Sequence, residues 1–168
     1  MSRHDDIIIR FSGLKPGFYD FSFALADEFF EEWNYDEIVG GNVKIDTRME
    51  RKEHLLMLNF HLAGQVTLLC DRCLGEITLP IEGDEQLCVR FSDTEESDSE
   101  DLAILPEKAV EIDLAQWLYE YVAVRIPLQH VHPDGECDPE MVRFIAADAP
   151  QRSNDDIDPR WEALKQLK

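Results

Sequence analysis

Cysteine and histidine side chains in two separated stretches of this chain have the types and spacing of a metal site. Cys70 and Cys73 form a C-x-x-C pair between two runs of strand-like sequence, and Cys137 lies in a later turn-like stretch with His130 and His132. A C-x-x-C pair on a tight turn lets two thiolates bind one ion, and the later stretch could complete a tetrahedral zinc site. The spacing alone does not decide which histidine is the fourth ligand.

The cysteines also admit other interpretations. A full zinc ribbon would repeat C-x-x-C, whereas the second stretch has a single cysteine, so Cys70 and Cys73 could be free thiols in a turn. A thioredoxin-like redox site is disfavoured, because that chemistry uses a C-x-x-C at the start of a helix and the flanking sequence here is typical of a hairpin. The fourth cysteine, Cys88, is interpreted as a small packing residue.

Arg72 lies between the two thiols of the C-x-x-C pair and is a candidate binding residue. Its guanidinium group could favour the thiolate form of the neighbouring cysteines. It could instead bind a carboxylate of the same acidic protein. Both roles follow from its position, and the sequence does not separate them.

Net charge limits the partners that suit this chain. The value is −20, from 36 acidic against 16 basic side chains. Such a protein repels a phosphate backbone unless basic residues cluster on one face. Lys44, Arg48, Arg51 and Lys52 lie on one predicted hairpin, but acidic neighbours dilute them, which is typical of a charged hairpin edge. Basic proteins are therefore the favoured partners, and ribosomal proteins are the commonest of these in a bacterial cytoplasm.

The sequence predicts a cytoplasmic binding protein and not an enzyme. No stretch reaches the roughly 20 apolar residues that span a bilayer, and the first six residues are too polar for a signal peptide. In a reducing compartment the cysteines are expected to be free thiols or metal ligands. No pattern of a nucleophilic, phosphate-binding or metalloprotease site occurs, and the carboxylates lie in charge runs without the apolar settings that raise a pKa.

Hydrophobic periodicity predicts an α+β fold. Alternation around residues 7–11 and 21–25 predicts an opening hairpin, followed by a short amphipathic helix that ends near Asn34. Residues 42–91 alternate again and should form an antiparallel meander or partly open, barrel-like sheet packed against a few short helices. Within this meander, Gly64 is predicted to turn the chain.

A helix over residues 114–125 should position the second half of the metal site. Asp113 is a plausible N-cap, and the face that carries Trp117 and Tyr121 is predicted to be buried against the sheet. A helix packed in this way could deliver residues 130–137 to the Cys70–Cys73 turn. Without it, the long loop between the two halves would make metal binding entropically costly.

The chain is predicted to have one α+β domain, residues 1–145, followed by a linker and a short C-terminal helix over residues 146–168. Residues 92–101 carry six carboxylates and no apolar side chain. They cannot bury surface to offset the entropy of ordering, so an acidic mobile loop is predicted over residues 92–103.

The tail contains the pattern of a short helix. Asp158 suits the N-cap and Pro159 suits the first helical position. Trp161, Leu164 and Leu167 recur every three residues on one side. Because so short a helix is marginal alone, this stripe should dock either on the protein's own sheet or on a partner.

Taken in order, these features resemble the YceD family over nearly the whole chain. The resemblance is carried by the C-x-R-C-L of Cys70, Arg72, Cys73 and Leu74, the acidic middle, the helix after Asp113, the turn at Pro127 before Cys137, and the ending Asp158-Pro159-Arg160-Trp161. Many members have several C-x-x-C-like spacings after the helix. This chain has one cysteine and two histidines there, so either a Cys-Cys-His-Cys set replaces the usual ligands or the site is only a structural remnant.

The resemblance implies a function in ribosome biogenesis. Members are bacterial and plastid proteins linked to accumulation of large-subunit ribosomal RNA, and they are commonly encoded beside a small basic large-subunit ribosomal protein. The implied partner is such a basic protein or a pre-ribosomal particle, with Arg72, Asp158, Pro159, Arg160 and Trp161 as partner-binding residues. The alternative that the family's description implies is a zinc-dependent nucleic-acid-binding protein that acts directly on ribosomal RNA.

Overall fold

A computed structural model describes residues 7–33, 38–93 and 102–148 of the chain. Seven strands and three helices occur there in chain order: β1 (Ile8–Arg10), β2 (Gly17–Leu25), α1 (Asp27–Glu32), β3 (Ile38–Arg51), β4 (Leu55–Leu69), β5 (Glu76–Phe91), β6 (Leu102–Leu105), β7 (Glu111–Asp113), α2 (Ala115–Ala123) and α3 (Pro139–Asp148). None of these helices is long and apolar enough to cross a membrane.

One five-stranded sheet, in the order β2-β3-β4-β5-β6, forms the body of the protein. The first four strands are antiparallel neighbours, and β6 joins the edge of β5 in parallel. The sheet does not close into a barrel, since β2 and β6 are its two edges. This confirms the predicted α+β fold with an open antiparallel meander and a few short helices.

The inner face of the sheet supplies most of the core. Alternate side chains of the central strands β3 and β4 are fully or almost fully buried, as the period of two predicts: Val43, Ile45, Met49, Leu56, Leu58, Phe60 and Leu62. Burial of each such side chain contributes roughly 1.5–3 kcal/mol relative to exposure. This burial stabilises β3 and β4 along most of their length. The turn between β4 and β5 consequently lies at one end of the sheet.

Gly64 does not turn the chain as predicted. It lies inside β4, opposite Val43, where an added Cβ would overlap the backbone carbonyl oxygen of Asn42. Gly83 likewise lies inside β5. A side chain at this position would overlap the guanidinium group of Arg125. Both glycines permit the close approach of another group. From sequence alone, a glycine that serves this purpose within a strand is not distinguished from a glycine in a turn.

The predicted opening hairpin is wrong, because β1 pairs with β7 and not with β2. Ile9 lies opposite Ile112 in a separate two-stranded sheet, and both side chains are buried. The strand β2 pairs instead with β3, with Phe21 opposite Thr47. Alternation identifies a strand but not its partner, and here the partner of β1 lies about a hundred residues away in sequence.

Helix α2, predicted over residues 114–125, spans Ala115–Ala123 with Leu114 at the N-cap position, and its buried face also differs from the prediction. The N–H of Ala115 donates to Asp113 Oδ1 at 2.9 Å, and Leu118, Tyr119 and Val122 are buried. Trp117 and Tyr121, predicted to be buried, are only partly so. The difference arises because Tyr119 takes the buried position, stacked on the Trp33 ring after α1 at a centroid distance of 5.0 Å.

Two boundaries of the predicted loops lie elsewhere. Leu102 and Ala103, assigned to the acidic loop, lie in β6, where Leu102 faces Cys88 of β5. The helix α3 was not predicted, and it extends to Asp148, into the segment assigned to a linker. Residues 94–101 and 149–168 lie outside the described residues.

Arg125 fastens the end of α2 to the sheet. Its Nη1 donates to the Tyr121 carbonyl at 2.6 Å, and its Nη2 donates to the Asp84 carbonyl at 3.0 Å. The same Nη2 is 2.9 Å from Glu85 Oε1, and the Arg125 side chain is only 16% exposed. This contact fixes the point from which the chain leaves α2 toward the second half of the metal site.

We expect Arg125→Gln to lower the free energy of unfolding by about 1–3 kcal/mol, because it leaves a half-buried carboxylate and two carbonyls with fewer partners. Urea denaturation measures the change. Arg10→Gln is the matched control, because it removes an ion pair to Glu111 in which the arginine side chain is 74% exposed, and such pairs are worth about 0–1 kcal/mol. Equal effects of the two substitutions would contradict a special role for Arg125.

Candidate metal centre

The turn between β4 and β5 holds the first two cysteines in one compact loop. The N–H of Cys70 donates to the Gly75 carbonyl at 2.8 Å, and the N–H of Leu74 donates to the Cys70 carbonyl at 2.9 Å. Leu74 has a φ of 57°, in the left-handed region that is unfavourable for a leucine. Leu74 itself is exposed, whereas Cys70 and Cys73 are both buried.

Asp71 joins this turn to the loop that follows α2. The N–H of Asp71 donates to the His130 carbonyl at 3.0 Å, and the N–H of His130 donates back to Asp71 Oδ2 at 2.8 Å. The His130 ring lies beside the same carboxylate, with Nε2 3.4 Å from Oδ1. His130 therefore contacts Asp71 and does not point toward the cysteines.

Four potential ligand atoms converge between the two loops. The Sγ atoms of Cys70, Cys73 and Cys137 and a ring nitrogen of His132 all lie within 4.8 Å of one another. Cys70 Sγ is 4.0 Å from Cys137 Sγ, and Cys73 Sγ is 3.4 Å from His132 Nδ1. Ligands of a tetrahedral zinc ion are about 3.5–4 Å apart, given the usual metal–sulfur and metal–nitrogen distances. These four residues, the Cys3His group below, could hold a metal ion.

A backbone carbonyl orients the His132 ring. His132 Nε2 lies 3.0 Å from the Glu76 carbonyl oxygen and can donate to it, which leaves Nδ1 for the centre of the group. This carbonyl, followed by the Cys70 and Cys73 sulfurs, raises the pKa of His132. An ion bound at Nδ1 would displace any proton on that nitrogen and leave the Nε2 proton in place, because a histidine ligand must be neutral.

Backbone N–H groups lower the pKa values of the Cys70 and Cys73 thiols. Burial opposes charge on the Cys70 sulfur, but the backbone N–H groups of Cys73 and His132 lower its pKa to about 6. The Asp138 and Gly75 N–H groups lower the pKa of Cys73. Cys70 is therefore charged near neutral pH without an ion, and the pKa of Cys73 is shifted toward the thiolate form.

The pKa of the third thiol, Cys137, shifts in the opposite direction. Burial, followed by the neighbouring Cys73 and Cys70 sulfurs, raises the pKa of Cys137. Negative charge on the Cys137 sulfur is unfavourable without a cation, because burial and the neighbouring sulfurs both oppose it. An ion would supply the missing positive charge, so the pattern of pKa values fits a cation-binding group.

Arg72 supplies positive charge at the rim of the group. Its Nη1 is 4.0 Å from Cys137 Sγ and 3.8 Å from Asp134 Oδ1. Both roles predicted for Arg72, beside a thiolate and beside a carboxylate of the same protein, are compatible with this position. Three thiolates around a divalent cation carry a net charge of −1, which a nearby guanidinium group offsets.

The structure brings together Cys70, Cys73, His132 and Cys137 of the predicted metal residues and leaves His130 outside them. Cys88 lies in β5, opposite Met57, away from the group. Asp158, Pro159, Arg160 and Trp161 lie outside the described residues. Sequence reasoning missed the role of Asp71, which joins the two loops through hydrogen bonds with His130. The available signal was its acidic side chain inside the C-x-x-C turn, which can accept hydrogen bonds from N–H groups of a second loop.

The Cys3His group could supply four protein ligands to one ion. Structural ion sites use four protein ligands in this way, whereas catalytic sites keep one position open. Three sulfurs and one imidazole favour soft or borderline cations over Mg²⁺ and Ca²⁺, which prefer oxygen.

We expect the chelator-treated protein to show a thiolate absorbance step in the ultraviolet with a midpoint near pH 6. The sign follows from the lowered pKa of Cys70, which is charged above the midpoint and neutral below it. Cys70→Ser should remove this step, and Cys88→Ser should leave it unchanged. Titration of every thiol only near pH 9 would show that the N–H groups do not stabilise the thiolate.

A protein-family model described as large ribosomal RNA subunit accumulation protein YceD matches residues 58–168. The match begins in β4 and includes all four residues of the Cys3His group. No curated protein and no solved structure matches the chain. Because the family model covers most of the sequence, the chain belongs to the YceD family, and this confirms the resemblance seen in its motifs. The family description supports a role in accumulation of large-subunit ribosomal RNA.

Proposed function

We propose that this YceD-family protein is a ribosome-biogenesis factor that binds a basic large-subunit ribosomal protein, free or within a pre-ribosomal particle. The observation that carries the proposal is the net charge of −20 on a folded domain of this family. A basic ribosomal protein binds RNA indiscriminately until it reaches its site, because phosphate attraction is sequence-independent. An acidic partner would screen that charge and so support ribosomal RNA accumulation.

The outer face of the sheet is our candidate for the acidic contact surface. A shallow groove of about 970 Å³ crosses it between β2 and β5, with Asp20, Asp46 and Asp84 in its lining. Hydrogen bonds from Lys44 and Ser22 lower the pKa of Asp46, so that carboxylate stays charged. An open, polar groove of this kind suits a flexible basic segment better than a small molecule.

Direct binding to ribosomal RNA is the alternative, and the described basic residues give it little support. Lys44 and Lys52 pair with Asp46 and Glu50. Arg51 donates to the Phe11 carbonyl. A basic stripe that could follow a phosphate backbone is thus not seen in the described ranges.

Binding measured against salt concentration distinguishes the two partners. We expect a basic large-subunit ribosomal protein to bind the isolated chain, with an affinity that falls as salt rises, and ribosomal RNA to bind weakly at physiological salt. Replacing the carboxylates of residues 94–101 by amides should weaken the protein complex if that segment contributes. This variant keeps Asp93, whose Oδ1 accepts from the Glu107 N–H at 3.2 Å.

The matched control for this assay exchanges Arg90, an exposed basic residue of β5, for glutamine. This change makes the chain more acidic and should not weaken the complex with a basic protein. Tight RNA binding by the isolated chain, lost in Arg90→Gln and in Arg48→Gln, would favour the RNA-binding alternative instead.

We also propose that the ion of the Cys3His group is zinc and that its role is structural. The donor set and the closed coordination support this choice. Bound zinc would hold the β4–β5 turn against the loop after α2, while the protein's own residues form the partner surface. No ligand position is left for a reacting molecule.

We expect stoichiometric zinc in protein purified without chelator, measured by elemental analysis. His132→Gln should lose most of it, and His130→Gln should retain it, because only His132 faces the sulfurs. Cys137→Ser should lose the ion and lower the melting temperature by several degrees, with Cys88→Ser as the control. Equal zinc content in the two histidine variants would contradict the ligand assignment.

A further inference from the structure

Helix α3 presents an apolar face that the described part of the chain leaves open. The helix follows Cys137 directly, and Asp138 Oδ1 accepts a hydrogen bond from the Glu140 N–H at 2.8 Å at its start. Met141 packs against the core. Farther along, Phe144 is 72% exposed and Ile145 49% exposed.

These apolar residues lie on one side of the helix. Met141, Val142, Phe144 and Ile145 are spaced so that the helical period of 3.6 groups them within one half of the circumference. Three of the four are exposed. A contiguous apolar patch on an otherwise strongly acidic chain is typical of a surface that another segment covers.

Exposed carboxylates precede this face in the sequence. Asp134, Glu136, Asp138 and Glu140 are all exposed and alternate along the segment that leads into α3. The segment that covers the face should therefore combine an apolar stripe with positive charge.

Residues 159–168 have this complementary composition. This segment contains three basic residues and a single acidic residue, whereas the rest of the chain is strongly acidic; the basic residues are Arg160, Lys165 and Lys168, and the acidic one is Glu162. Trp161, Leu164 and Leu167 supply apolar side chains at three-residue spacing, which places them on one side of a helix.

The chain is long enough to return along α3. Residues 149–158 separate the end of α3 from this segment. Ten extended residues reach about 35 Å, and a ten-residue helix is about 15 Å long. Covalent linkage also keeps the segment at a high effective concentration near the face, which favours this occupant over a separate molecule.

We propose that residues 159–168 bind the apolar face of α3 within the same chain, through the Trp161 stripe and the basic residues beside it. This assigns the tail to the protein's own body at a site other than the sheet. It does not depend on which ribosomal component the protein binds.

Hydrogen exchange of the full-length chain tests the proposal. Amides of residues 161–168 should exchange about tenfold more slowly than in Phe144→Ser. Trp161→Ser should in turn speed exchange over residues 141–148, where the sequence of α3 is unchanged. Val124→Ser, which alters an exposed apolar side chain at the end of α2, is the matched control and should change neither range.

A charge-reversed variant, with Lys165→Glu and Lys168→Glu, should reproduce the effect of Trp161→Ser without removing apolar surface. Unchanged exchange over residues 141–148 in both tail variants would overturn the proposal. Protection that grows with protein concentration would overturn it in favour of a second copy of the chain. Protection of the tail that appears only when pre-ribosomal particles are added would overturn it in favour of a partner.

Discussion

The fold depends on closing a long loop between two turns. Cys73 and His132 are 59 residues apart in sequence, yet their ligand atoms lie 3.4 Å apart. Closing a flexible loop of this length costs about 4 kcal/mol of chain entropy. The two hydrogen bonds between Asp71 and His130, one to a carbonyl and one to the Asp71 carboxylate, contribute about 1 kcal/mol each, which does not offset that cost. A structural zinc ion contributes about 10–16 kcal/mol in small zinc domains, so a bound ion would add to the strand and helix contacts that already shorten this loop.

Other parts of the structure bring the two turns close before any ion binds. The paired β4 and β5 hold the first turn at one end of the sheet. Helix α2 contacts the sheet through the Tyr121 and Phe60 rings, and just after its end Arg125 contacts Asp84 and Glu85. The chain then needs only the loop from residue 127 to reach the cysteines. The ion site is thus partly preorganised, and this reduces the entropy that metal binding must overcome.

The sequence predicted those features that depend on local pattern. Alternation identified the long strands, and residue type identified Cys70, Cys73 and Cys137 as candidate ligands. It could not choose between His130 and His132, because the choice depends on the Asp71 carboxylate and the Glu76 carbonyl, which come from another part of the chain. It also failed for β1, whose partner is set by burial of Ile9 against a distant strand. Local periodicity carries no information on such long-range contacts.

The position of Cys137 connects the ion site to the surface of the protein. Its sulfur belongs to the Cys3His group, and α3 begins two residues later, with Asp138 between them accepting the first hydrogen bond of the helix. The N–H of the same Asp138 also stabilises the Cys73 thiolate and lowers its pKa. Any change that moves Cys137 therefore alters both the start of α3 and the charge of a second ligand. The Cys3His group and the start of α3 therefore share one short segment, residues 137–140.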